Sequence, residues 1–305
     1  FVIGGRVDAL FATDPPRIEE IKSTFNTHEL EKKLRKSPNH PYCLQLKTYG
    51  YFYYLEHKVV PKLNFHLVSS RSYATEDLPI PLDLEECEIW FDRRMAELVE
   101  ETRRSEARSK RRCKVAAAFP FPFEQPRPGQ VELIESIEDG MKERIRMLIQ
   151  APTGLGKTAG VLYPTLREAM SRGQGVLYVT PKNSQHSVAE DAVERFQDTG
   201  SKVRSLTITA KAKICFKNEP LCNPDYCEFA KDYYTKVHAA GLQDLLAKKK
   251  KLTSRVFRNI GEQYEVCPFE LQLEAAKDVE VVIGDYNYAF GPRTAFGKLT
   301  EPSPG

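Results

Sequence analysis

The stretch Gln150–Thr158, Q-A-P-T-G-L-G-K-T, most restricts what this chain can fold into. It follows the apolar run Met147-Leu148-Ile149 and precedes Ala159–Met170, which can be helical. Strand, glycine turn and helix together form the setting of a phosphate-binding loop. Small residues at Ala151, Gly154 and Gly156 let backbone N–H groups close around phosphate oxygens, with the positive end of the helix behind them. The cradle is expected over Ala151, Pro152, Thr153, Gly154, Leu155 and Gly156. Lys157 then neutralises the β/γ-phosphates and Thr158 offers its hydroxyl to Mg²⁺. A nucleoside triphosphate is the expected ligand.

At 305 residues there is room for two domains, each with its own core. A hydrophobic content of 41% and a charged content of 29% describe a soluble globular chain. No apolar run approaches a membrane span, and there is no secretory signal. The net charge of +3 is too small to imply a nucleic-acid partner by itself. Seven unevenly grouped cysteines suit an intracellular, cytoplasmic protein with a metal site better than a disulfide framework. The chain opens on Phe1-Val2-Ile3, which already reads as a strand, so it is expected to be an excerpt of a longer protein. Nothing in it sets an oligomeric state.

Phe1–Phe11 reads as a strand with a glycine bend, Asp14-Pro15-Pro16 as a turn and Arg17–Ser23 as a second strand. Glu20 and Lys22, two apart, project from one face, and Asp8 on the hairpin partner can reach it. Two carboxylates and a lysine at one spot are the arrangement of a Mg²⁺-dependent nuclease. The helical stretch Pro41–Glu56 sets Gln45 and Tyr49 on one face. In order, G-x-x-D (Gly5 to Asp8), E-x-K (Glu20 to Lys22) and Q-x-x-x-Y (Gln45 to Tyr49) resemble the RecB-like branch of the PD-(D/E)XK nucleases. The resemblance covers about the first 70 residues, through the strand Lys62–Ser69. It implies that Asp8 and Glu20 hold Mg²⁺, that Lys22 positions or activates water, and that Gln45 and Tyr49 complete the catalytic set. That family usually adds an acidic residue or histidine from an upstream helix. His28 and His40 read as loop residues instead, and Cys43, Cys87 and Cys113 as small buried apolar ones. The alternative is a degenerate nuclease domain that only binds DNA.

Between Leu82 and Lys114 the chain is acidic early (Glu85, Glu86, Glu88) and basic late (Arg103, Arg104, Arg108, Lys110, Arg111, Arg112). This suits the dipole of a connecting helix. Phe119-Pro120-Phe121-Pro122-Phe123 is taken as the boundary marker, giving domains 1–115 and 116–305.

In the second domain an amphipathic helix is expected to about Lys142, and Gly175–Thr180 and Val203–Thr209 read as strands, with Pro181-Lys182-Asn183-Ser184 opening a helix. Strands alternating with helices imply a parallel sheet covered on both faces. Cys215, Cys222 and Cys227 fall within thirteen residues, and Cys267 follows 40 later in C-P-F. Four thiolates can hold Zn²⁺ or a cubane cluster. Lys231, Lys236, Lys248–Lys251, Arg255 and Arg258, interleaved with Tyr226, Tyr233, Tyr234 and Phe257, suit single-strand binding.

These pieces, in this order, resemble the first motor domain of the XPD/DinG-type superfamily 2 helicases. Ala151 at the first loop position is a variant common in helicase-type ATPases. Gln130 resembles the glutamine that contacts adenine, and Pro181–Ser184 resembles motif Ia. The loose cysteine spacing resembles that family's iron–sulfur insert, which implies a 4Fe–4S cluster on Cys215, Cys222, Cys227 and Cys267 within residues 211–270. Val279–Asp285 continues Tyr286-Asn287-Tyr288 rather than D-E-A-H. It therefore resembles the strand after the cluster, and the true Walker B is expected beyond Gly305. The implied fold is α/β: a RecB-like nuclease core followed by a RecA-like P-loop parallel-sheet domain with an inserted 4Fe–4S domain. The implied activity is an ATP-dependent DNA helicase of 5′-to-3′ polarity, using ATP, Mg²⁺ and the cluster on single-stranded or forked DNA in repair or processing. Two alternatives stand beside it. One is a DNA-binding scaffold with an ATP switch, an inactive nuclease domain and a structural zinc; the other is an RNA-directed ATPase.

Overall fold

A computed structural model of the chain describes residues 4–291 apart from 183 and 225. The chain divides into two compact units, Phe1–Arg103 and Arg104–Gly305.

The first unit is built on a four-stranded sheet of order β1-β2-β3-β4, with β1 at Ala9–Phe11, β2 at Arg17–Thr24, β3 at Lys62–Ser69 and β4 at Thr75–Ile80. β1 and β4 run antiparallel to their neighbours, and β2 and β3 run parallel. A parallel pair needs a crossover, supplied here by helices α1 (Thr27–Lys36) and α2 (Pro41–His57). The Asn26 side chain caps α1 by accepting from Glu29 N at 3.1 Å, and Lys33, Arg35 and Lys36 sit in its last turn. Pro41 stands in the first turn of α2, behind His40, whose ring nitrogen accepts from Tyr42 N. His40 thus caps α2 from the connection before it, whereas His28 is a residue of α1 rather than of a loop. Alternation puts Leu63, Phe65 and Leu67 of β3 in one core with Ile18, Leu34 and Leu46.

Helix α3 (Leu84–Ala117) forms as its charge gradient predicts, but the division falls at Arg103/Arg104 rather than at 115/116. The basic end of α3 belongs to the second unit because its arginines are spent there. Arg111 is ion-paired to Glu280 and donates to the Asp278 carbonyl at 2.9 Å. Arg112 donates to the carbonyls of Lys277 and Val279 at 2.8 and 2.7 Å. The Phe119–Phe123 run is likewise no free linker: Phe119 is buried against Tyr163 and Phe196, and Phe121 meets Tyr163 edge-on.

The second unit opens with α4 (Gln130–Lys142) and α5 (Lys157–Ser171), then alternates β5 (Val176–Thr180), α6 (Ser184–Asp198) and β6 (Ser205–Thr207). Short helices α7 (Lys211–Ile214), α8 (Tyr233–Ala239) and α9 (Leu242–Ala247) lead to β7 (Lys251–Leu252). Helices α10 (Ser254–Tyr264) and α11 (Pro268–Ala275) precede β8 (Val281–Asp285) and α12 (Asn287–Phe290). The sheet is wholly parallel, in the order β5-β8-β6-β7. Val281 and Ile283 face the cluster containing Leu162, Leu166, Val193 and Phe196, while Val282 faces the one containing Phe257, Ile260 and Leu271. Covered on both faces, β8 reads as a continuous apolar run.

Met147–Ile149 does not form the expected strand. Residues 145–152 lie outside regular structure, and Leu148 is fully exposed at 104%. Among the described residues no strand runs alongside to accept its backbone hydrogen bonds, so hydrophobicity alone does not make it extended sheet.

Glu280, immediately before β8, has 0% exposure. Burial pushes its carboxyl up, and Arg111, Arg112 and the Arg204 N–H pull it back. Arg204 N donates to Glu280 Oε2 at 2.8 Å. Glu280→Ala strands these buried donors and is expected to cost about 3–5 kcal/mol, read as a lower urea midpoint at an unchanged slope.

Candidate nucleotide-binding and carboxylate–lysine sites

The phosphate loop stands at the N-terminus of α5. Gly154 and Gly156 take φ of +86° and +78°, which favours glycine at both. Gly156 is the N-cap of α5 and no side chain caps the helix, so its first N–H groups remain for an anion. Lys157 Nζ curls over the loop, donating to the carbonyls of Ala151 and Pro152 at 3.1 and 2.8 Å. Thr158 follows in the first turn, half-buried. Pro152, Thr153 and Gly154 are exposed, and Ala151 and Leu155 half-buried. The donors, glycines and ammonium fit a nucleoside triphosphate.

Gln130, expected against adenine, lies beneath this loop. It is 1% exposed; its Nε2 donates to Gly156 O at 3.1 Å and its Oε1 accepts from Arg127 N at 3.0 Å. A Cβ on Gly156 would come within 2.7 Å of Gln130 Nε2, so that glycine is needed for space as well as for φ. Arg127, not singled out in the sequence, donates to Gly154 O at 2.6 Å. Its signal was its place three residues before Gln130 in R-P-G-Q.

The first unit brings Glu20, Lys22, Gln45 and Tyr49 together on the helix-covered face of β2. Glu20 is 2% exposed, and Lys22 Nζ lies 2.6 Å from its Oε1. Lys22 Nζ also donates to Gln45 Oε1 at 3.5 Å, and Gln45 Nε2 donates to Tyr49 OH at 3.0 Å. Asp8 enters from the loop before β1, its Oδ2 accepting from Ile21 N at 2.8 Å. Glu20 Oε2 is buried and has no hydrogen-bond partner among the described residues, an anionic oxygen of the kind a divalent cation takes. Two further residues complete the cluster. The Tyr42 ring lies 4.6 Å from Lys22 Nζ, and it shares a helix face with Gln45 and Tyr49. Gly5 admits Tyr49: a Cβ there would sit 2.5 Å from its ring.

The four cysteines lie at separate caps, turns and irregular segments. Cys215 ends α7, Cys227 starts a turn closed by Ala230 N and Lys231 N, and Cys267 is the N-cap of α11. Hydrogen bonding to Cys222 raises the Lys211 ammonium, and burial pushes the Cys267 thiol up. Arg258 of α10 donates to Ile214 O at 3.1 Å, and Gln272 of α11 grips Thr209 N and O at 3.1 and 2.7 Å. Among the described residues no three of these thiols lie within 4.8 Å of one another. All seven cysteines are free. Asp285, at the carboxyl end of β8, accepts from Asn287 N at 2.8 Å and so caps α12.

Residues 127–224, about a third of the chain, match the family model for the DEAD/DEAH box helicase. The chain is also similar to the regulator of telomere elongation helicase 1 of Rattus norvegicus, at 22% identity over 218 residues covering 55% of this chain and 17% of the relative. The Mus musculus protein of the same name matches at 22% over 218 residues, with 18% of its length covered. The chain thus spans under a fifth of the curated relatives it matches. Both matches are to helicases. No described helix is long and apolar enough to cross a membrane.

Gln130→Leu keeps the volume but leaves Gly156 O and Arg127 N unpaired, at an expected cost of about 1–3 kcal/mol. Weaker binding of an ATP analogue should accompany the lower unfolding midpoint, because the lost bond holds the phosphate loop itself.

Proposed function

We propose that this chain is the junction of an intracellular DNA-processing enzyme, a RecB-like nuclease domain followed by the first motor domain of an XPD/DinG-type helicase with a 4Fe–4S insert. The observation that carries the motor reading is the loop itself. Two left-handed glycines, an uncapped helix N-terminus and Lys157 converge where residues 127–224 match the helicase family. In this reading Lys157 and the first-turn N–H groups hold the triphosphate, and Thr158 holds its Mg²⁺. Gln130 and Arg127 hold the loop in shape around the phosphates. Translocation runs 5′-to-3′ on single-stranded or forked DNA, by resemblance.

The nuclease reading rests on the cluster around Lys22. Asp8 and Glu20 are the metal-binding carboxylates; bound Mg²⁺ supplies polarisation of the phosphodiester and a more acidic water. Lys22 is aimed by Glu20, Gln45 and the Tyr42 face, so its ammonium meets a scissile phosphate without reorganising. Cys215, Cys222, Cys227 and Cys267 are the ligands proposed for the cluster, which would tie α7 to the start of α11.

Lys157→Ala, made in the full-length protein, is expected to lower ATP turnover by about 10²–10³-fold, the loss typical of one preorganised donor, while DNA binding is spared. A variant turning over at the full rate refutes the site. Asp8→Ala and Lys22→Ala should each remove Mg²⁺-dependent cleavage; cleavage surviving in both locates any nuclease elsewhere. Anaerobically purified protein should be brown with four irons per chain, and Cys227→Ser colourless. Zinc in their place favours the scaffold.

A further inference from the structure

At the opposite edge of the parallel sheet lies a second feature, independent of the nucleotide site. α5 begins at the phosphate loop and ends at the turn into the amino end of β5, so the loop stands at the carboxyl edge. The amino edge is about 22 Å away, the length of fifteen helical residues. There a groove of about 590 Å³ opens between the end of α3, the turn before β6 and the turn between α9 and β7. Lys114, Lys202, Lys248, Lys249 and Lys250 line it, and all five are exposed.

A lysine run is ordinarily a solvated face, but two observations separate this one. Its backbone is tied down: Arg204, itself buried, donates to Lys249 O and Leu246 O at 3.2 and 3.1 Å, and Ser205 N donates to Lys250 O at 2.9 Å. Its charge is uncompensated as well. Lys251, next in the run, pairs with Glu190 and Glu194, whereas among the described residues no carboxylate pairs with the five groove lysines. Cations from three separate segments thus line one groove that no described carboxylate lines.

We propose that this groove binds the phosphate backbone of double-stranded nucleic acid. Phosphate spacing along a duplex suits several ammonium groups on two walls, and their neutralisation releases counterions. Single-strand sites combine cations with aromatic platforms for base stacking. Among the described residues no aromatic side chain lines this groove, where the apolar residues are Val115, Ala118 and Ala247. Recognition is therefore through the backbone and independent of sequence. The site rests on charge and geometry at the amino edge, not on the helicase reading.

The test is fluorescence anisotropy of a labelled duplex, and separately of a labelled oligo-dT strand, titrated with the full-length protein across a salt series. The triple variant Lys202→Gln, Lys249→Gln, Lys250→Gln should bind the duplex tenfold or more weakly near 0.1 M salt, with a slope of log K against log salt shallower by ~2.7. Oligo-dT binding and ATP-analogue binding should hold. Lys114→Gln, on the facing wall, should reduce the slope by ~0.9 and serves if the triple variant misfolds. An unchanged duplex slope in both variants overturns the proposal. So does an equal loss on oligo-dT, or displacement of the duplex by polyglutamate of matched charge, which would mark an acidic-peptide site.

Discussion

The carboxylate of Glu280 is the constraint on which the second unit most depends. It is buried just before the central strand β8, where an unpaired charge would be expelled. Arg111 answers it from α3 and the Arg204 N–H answers it from the lead into β6, with Arg112 3.8 Å away. One charge thereby joins a helix, an edge-side turn and a central strand. Such an arrangement is costly to desolvate, and it is tolerable only because every partner is brought by the fold. Arg108, reaching Asp278 at 3.1 Å, extends the same grip one turn back along α3. The division of the chain at Arg103/Arg104 is the consequence: the helix is continuous, but its basic third is held by the second unit.

The two candidate sites follow different logic. The nucleotide loop is a backbone device, in which glycines at positive φ and the open end of a helix do the binding and side chains keep it in shape. Gln130 shows this well, since both ends of its amide serve the loop. The carboxylate–lysine site is a side-chain device built on one strand face, and it works by alternation. Glu20 and Lys22 face the helices, while Arg17 and Glu19 face away and pair with each other at 3.2 Å. α2 then supplies Gln45 and Tyr49 from above, with Tyr42 alongside.

Much of the chain was legible from local pattern. β2, α2, β3, α4, α5, β5 and β8 fall within a few residues of where periodicity and turn chemistry place them. α1 and β4 went unread. The first is a short, mostly charged helix whose definition comes from the Asn26 cap, and the second carries Pro79 and only one buried apolar residue, Leu78. Met147–Ile149 misled in the other direction, because hydrophobicity predicts a strand only when another strand is present to pair with it.

The sequence by itself determined the identity and order of the chemical groups: the glycines and lysine of the loop, the E-x-K pair, the Q-x-x-x-Y face and the four cysteines. These are read from spacings of a few residues, which local backbone geometry converts directly into shared faces and turns. Only the tertiary structure decided which distant groups meet. It set Gln130 under Gly156, Asp8 on the backbone of β2, three arginines around Glu280, and five lysines from three segments around one groove. Those meetings depend on sheet order and on helices folding back across it. Neither is encoded in any short stretch of residues, because burial and charge are satisfied only by the whole unit at once.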